Sequence, residues 1–268
     1  MTPLDALRKA YEAGNLIVFA GAGVSCAGGL PGWKQLANDL RQQIDPRKNL
    51  EEVDALLGQS KLIDALSALR DIMGAQEFAH SIEEALDDSQ LSVPELAEAI
   101  ERLRPRLAGV ITTNLDRFIE RAFRGEWPDY VVAPGDLAQR REFIFKIHGT
   151  LGDRSGWVFD RQQYDNALRS DQLQRTILAT LFNSYHFLFV GFGLEDDDTE
   201  DLLTSIRALS CGQPPEHYAI LQAPVGDYRR SKLQRAGIRI IEYEAHSDVL
   251  ALLATLLPRE SANPRTAR

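Results

Sequence analysis

Cysteine is nearly absent from this chain: 268 residues carry two, Cys26 and Cys211. Two cysteines make neither a four-cysteine zinc site nor a disulfide framework, and a reducing cytoplasm is the expected compartment. Histidine is sparse as well, with five residues, none paired with cysteine or another histidine at metal-ligand spacing. No bound metal is expected. Long apolar runs are missing; Leu16–Ala22 and Phe187–Phe192 fit buried strands and are too short to span a bilayer. The segment from Met1 to Asn15 is charged and helix-like, without the apolar core of a signal peptide. A basic excess is missing too. Lys and Arg number 30 against 39 Asp and Glu, a net charge of -9, which argues against direct nucleic-acid binding.

The remaining composition suits one large domain. Hydrophobic residues make up 44%, enough for a sizeable core. Short apolar strands are expected at Leu16–Ala20, Leu107–Thr112, Asp129–Val132, Glu142–Ile147, Trp157–Asp160, His186–Val190, His217–Leu221 and Ile238–Ile241. Helical spacing fills the intervals, including Trp33–Ile44, Asp116–Phe123, Gln172–Phe182, Asp196–Leu209, Tyr228–Ala236 and Ser247–Leu257. That alternation predicts an α/β fold with a Rossmann-like parallel sheet and helices on both faces. Between Asp45 and Arg104 every segment reads as helix, which predicts an all-helical insertion over 45–104 within a single domain of 1–268. The polar tail, 259–268, is expected to fray.

Four turns stand at predicted strand ends: Ala20-Gly21-Ala22-Gly23-Val24-Ser25, Thr112-Thr113-Asn114-Leu115-Asp116, Ile147-His148-Gly149-Thr150 and Gly191-Phe192-Gly193-Leu194. Ligands of open parallel sheets bind at the carboxyl ends of strands, so together these turns point to a nucleotide crevice. Gly21 and Gly23 let a pyrophosphate approach the backbone, although a tight turn without a ligand explains that loop equally well on its own. The loop is neither a Rossmann fingerprint, since Cys26 stands where the third glycine belongs, nor a Walker loop. Asn114 sits in its turn facing the crevice, whereas Asp116 suits a helix cap. His148 at a strand end suits a general base. The acidic run Glu195–Asp198 reads as compensation of a helix dipole, not as a metal site.

In order along the chain, Gly21-Ala22-Gly23-Val24-Ser25, Gly29-Leu30-Pro31, Thr113-Asn114-Leu115-Asp116, Lys146-Ile147-His148-Gly149 and Gly191-Phe192-Gly193-Leu194 resemble the sirtuin superfamily. The resemblance runs from about Leu16 to about Tyr243. It departs from protein-deacylating sirtuins: the zinc ribbon is missing, Gly32-Trp33-Lys34 follows Pro31, Thr113 replaces a glutamine, and Gly193 stands where serine is common. The Gly-Leu-Pro-Gly-Trp and Thr-Thr-Asn-Leu-Asp forms look like the bacterial sirtuin-like branch that hydrolyses NAD in phage defence.

The resemblance implies NAD as substrate, bound by Gly21, Ala22, Gly23 and Ser25 at the pyrophosphate and by Pro31, Trp33, Thr113, Gly191, Gly193 and Leu194 elsewhere. Trp33 suits either a cover for the nicotinamide end or a core tryptophan. Asn114 and His148 would lie near the nicotinamide ribose, with Asp116 orienting neighbours. Implied partners are further copies of the chain or a separately encoded sensor. Two alternatives stay open: an NAD-dependent deacylase or ADP-ribosyltransferase, and a non-catalytic NAD or ADP-ribose sensor.

Overall fold

A computed structural model describes residues 1–159, 163, 172–192 and 215–258. Its centre is a seven-stranded sheet in the order β3-β4-β2-β1-β5-β6-β7, with every pairing parallel. The strands are β1 (Leu16–Ala20), β2 (Leu107–Thr112), β3 (Asp129–Tyr130), β4 (Ile144–Lys146), β5 (His186–Val190), β6 (His217–Gln222) and β7 (Ile238–Tyr243). All five residues of β1 are buried, as a central strand covered on both faces requires. Side chains of a strand alternate between faces, so Leu16, Val18 and Ala20 join one apolar cluster while Ile17 and Phe19 join the other. Full burial of each large apolar side chain stabilises the fold by about 1.5–3 kcal/mol.

Helices α1 (Pro3–Glu12), α7 (Glu95–Arg102), α8 (Phe118–Ala122) and α11 (His246–Ala254) close the first face. Helices α9 (Gln172–Ser184) and α10 (Asp227–Arg235) close the second. Thr2 caps α1 through a reciprocal pair with Asp5, and Pro3 opens it where no amide is needed.

Between β1 and β2 the chain runs through α2 (Ala22–Ala27), α3 (Trp33–Gln43), α4 (Glu51–Gly58), α5 (Leu62–Met73), α6 (Ala75–Leu86) and then α7. The expected helical stretch, 45–104, divides. Helices α4–α6 share a third apolar cluster with Leu36, Ala37 and Leu40 of α3, whereas Ala97, Ile100 and Leu103 around α7 pack into the sheet's own core. Leu115, Trp157 and Phe159, all beyond β2, complete the third cluster.

Three local expectations change. Ala22-Gly23-Val24-Ser25-Cys26-Ala27 forms α2, where a turn was expected. Helix α8 starts at Phe118, two residues late, because Asp116 is taken up in the turn. Trp157-Val158-Phe159 forms no strand; its buried side chains face the third cluster and the second face of the sheet. The helix expected at Asp196–Leu209, the acidic run, Cys211 and the tail 259–268 lie outside the described residues.

Candidate active site

Strand register levels the four strand ends. Ala20 pairs with Thr112 on one side and with Val190 on the other, and Thr112 pairs with Lys146. The turns that begin at Gly21, Thr113, Ile147 and Gly191 therefore leave one edge of the sheet side by side. Chain order reverses about β1, between β2 and β5, which is where an open parallel sheet forms its crevice.

The first and last of these turns lie in contact. Gly21 N–H donates to Val190 O at 2.9 Å, and Gly23 N–H donates to Gly191 O at 2.7 Å. A Cβ on Gly23 would come within 2.8 Å of Gly191 Cα, and one on Gly191 within 2.8 Å of Val24 N. Gly191 also has φ +72°, a conformation that side chains resist. Glycine here serves the approach of backbone to backbone. Phe192 packs on Phe19 and Phe189 and covers Gly21.

Asn114 links the second turn to the first. Its side-chain Nδ2 donates to Gly21 O at 2.9 Å, its backbone N–H donates to Thr112 Oγ1 at 3.1 Å, and Thr112 Oγ1 donates to Ala20 O at 2.9 Å. Ser25 Oγ donates to Asp116 Oδ2, and Asp116 Oδ1 accepts from Phe118 N–H at 3.1 Å. Asp116 therefore caps the entry to α8 and ties it to α2. Thr113 is buried beside Asn114, and Pro31 is half-buried in the turn before α3.

His148 is buried, and its imidazole meets the edge of Trp33 with ring centres 6.1 Å apart. Trp33 in turn lies 5.3 Å from Phe159, which touches Phe78 of α6 and Trp157. Trp33 thus packs on the helical layer as a core tryptophan does, and it also meets His148. Burial pushes the His148 pKa down to about 4, so the ring is neutral at physiological pH.

Beneath the site lies a charge that the sequence assigns no role. Lys146, the last residue of β4, is fully buried, and its Nζ lies 2.6 Å from Glu120 Oε1 of α8. The same ammonium donates to the carbonyls of Asp116 and, at 3.4 Å, Leu115. The available signal was a lysine inside an otherwise apolar strand, Phe143-Ile144-Phe145-Lys146-Ile147. Gly193 and Leu194 lie outside the described residues. Among the described residues, no group of three or more His, Cys, Asp or Glu could hold a metal ion, and no helix is long and apolar enough to cross a membrane.

A family model for the SIR2-like domain matches residues 108–241, half of the chain, which includes Asn114, Asp116 and His148. The chain belongs to the SIR2-like family. Among curated proteins, this SIR2-like chain is 24% identical over 279 residues to the NAD(+) hydrolase ThsA of Cytobacillus dafuensis, covering 94% of this chain and 54% of that one. It is also 24% identical over 249 residues to defense-associated sirtuin 2 of Bacillus subtilis, covering 88% of this chain and 24% of that one. The chain thus spans about half the length of the ThsA protein it matches. A solved structure described as "Structural Basis for the Mechanism and Regulation of Sir2 Enzymes" is similar over 94% of this chain and 95% of its own, at 14% identity and a TM-score of 0.47.

Proposed function

We propose that this SIR2-like chain hydrolyses the bond between nicotinamide and ribose in NAD, releasing nicotinamide and ADP-ribose, and that it acts as an effector of bacterial anti-phage defence by depleting NAD. One observation carries the reading: Asn114, Asp116 and His148 stand at the level carboxyl edge of β2 and β4, beside a glycine-lined contact between β1 and β5. The relative named NAD(+) hydrolase supports the choice of reaction.

The chemistry asks for positioning more than force. Nicotinamide leaves as a neutral ring as its bond to the ribose anomeric carbon breaks, and the sugar takes on oxocarbenium character. A water oxygen then bonds to that carbon and gives up a proton. With Nδ2 engaged by Gly21 O, Asn114 offers Oδ1 to that water or to a ribose hydroxyl. A neutral His148 accepts the proton. Gly21 and the first residues of α2, Ala22, Gly23 and Ser25, hold the pyrophosphate, and Pro31, Thr113, Gly191, Gly193 and Leu194 contact the rest of the dinucleotide. Trp33, standing over His148, screens the nicotinamide end from bulk water.

Incubation of purified protein with NAD, with products separated by chromatography, tests the proposal. Free nicotinamide and ADP-ribose in equal amounts are expected. An acyl-ADP-ribose formed only with an acylated peptide would replace hydrolysis by deacylation, and binding without turnover would leave a sensor. Further copies of the chain or a separately encoded sensor are the proposed partners, checked by turnover per chain across a dilution series with mass measured in parallel.

A further inference from the structure

The pair Lys146–Glu120 is a poor stability device. Two charges leave water to form it, and replacing such a pair with apolar residues of similar volume is often neutral or stabilising. Glu120 Oε2 is buried and has no hydrogen-bond partner among the described residues, so the pair is not even fully satisfied. Phe118 and Ile119 of α8 and Ile144 of β4, neighbours in sequence of the pair, belong to the apolar cluster on that face of the sheet. An ammonium kept in such a place has work other than holding β4 to α8.

That work is visible in what else the ammonium touches. Residues 113–117 form no regular element, and within them the helix α8 engages the carbonyl of Arg117, which accepts from Arg121 N–H at 2.9 Å. Lys146 Nζ donates to two other carbonyls of the segment, at Leu115 and Asp116. Leu115 O also accepts from Leu151 N–H at 2.9 Å, in the loop after His148. Lys146 stands two residues before His148 on the same strand end. One side chain therefore ties the turn bearing Asn114 and Asp116 to the segment bearing His148.

We infer that Lys146, with Glu120 as its counter-ion, is a positioning residue for the proposed reaction, acting by fixing the carbonyls of Leu115 and Asp116. This rests on the NAD-hydrolase reading. Glu120 holds the ammonium at the height of the turn, and the turn sets where the Asn114 amide and the Asp116 carboxylate stand relative to His148. Loss of the charge frees the turn while leaving the apolar packing of β4 and α8 in place.

The test compares the full chain with Lys146→Met/Glu120→Leu, which removes both charges and leaves neither orphaned. The double variant should unfold at or above the wild-type temperature. NAD affinity by calorimetry should stay within about threefold while kcat falls about 10²-fold, the signature of lost alignment in place of lost binding. Amide exchange across residues 113–117 should quicken, with exchange in β1 and β2 unchanged. Wild-type kcat with wild-type exchange in the double variant overturns the inference. If the double variant fails to fold, Lys146→Met/Glu120→Gln takes its place; it removes both charges and keeps a polar side chain at 120, and unchanged kcat and loop exchange there overturn the inference equally. If the wild-type chain releases no nicotinamide, the NAD-hydrolase reading fails by itself. Loop exchange then decides: faster exchange retains Lys146 as the clamp of the turn, and unchanged exchange rejects it.

Discussion

The two halves of the sheet treat polar groups differently. On the side of β1, β2 and β4, the chain buries Ser25, Thr112, Thr113, Asn114, Asp116, Glu120, Lys146 and His148 at or just beyond the strand ends. Among the described residues on the side of β5, β6 and β7, the buried polar side chains are Gln174 of α9 and His217, which opens β6 at the opposite edge and accepts from Phe187 N–H at 3.2 Å. Burying a polar group costs free energy unless it is bonded, so a concentration of such groups marks where stability was not the deciding demand. Among the described residues the first half holds most of the buried polar groups, and it meets the second at the contact of Gly191 with Gly21 and Gly23.

The sharpest way to break that contrast is to remove chemistry from the first half. His148→Ala and Asn114→Ala should each fold normally and lower nicotinamide release by about 10²–10⁴-fold, with NAD still bound. Near-wild-type turnover in either variant would return that residue to the scaffold. Gly191→Ala attacks the seam between the halves. A methyl group must enter at φ +72° and within 2.8 Å of Val24 N. Strain of about 1–3 kcal/mol from the backbone alone should lower the unfolding midpoint, and an unchanged midpoint would show that the seam yields.

A gentler probe is pH. Since burial sets the His148 pKa at about 4 in place of 6.5, the neutral acceptor is complete at physiological pH. kcat/KM should hold level down to about pH 5 and fall only below it, whereas an acid limb centred near 6.5 would mean that the ring is solvated. Stability follows the same group. The folded pKa lies below the unfolded value, so the unfolded chain binds the extra proton between them. This contribution is fully present above pH 6.5 and is lost as pH falls toward 4. The smallest effect is expected at Arg154, whose exposed pair with Glu83 joins the loop after His148 to α6. Arg154→Ala should leave both unfolding midpoint and turnover unchanged, because exposed ion pairs contribute little.

Much of this was legible in the sequence, for identifiable reasons. Leu16–Ala20 and His186–Val190 are nearly all apolar and five residues long, which only a buried strand explains, and both form as expected. Helix α2 was hidden because Gly23 and the β-branched Val24 are weak helix formers; its start is held by Gly23 N–H on Gly191 O, a partner far along the chain. Trp157-Val158-Phe159 has strand composition, but Trp157 and Phe159 pack against the helical layer, and among the described residues no strand pairs with the segment. At the site, the positions of Asn114 and His148 at strand ends followed from local pattern. The link from Ser25 to Asp116 and the pair Lys146–Glu120 did not, since each joins residues distant in sequence.

The central place of β1 has a consequence for how the chain is made. Leu16–Ala20 leaves the ribosome before both of its neighbours, Leu107–Thr112 and His186–Val190. Until residue 190 has left the ribosome, an apolar strand keeps at least one unpaired edge, open to association with other chains. The helical layer can form its turns locally, but its core stays open until Phe159 arrives. The strand-end turns at Gly21 and Gly191 therefore meet only after β5 has been made, and no nascent fragment ending before β5 holds the complete crevice.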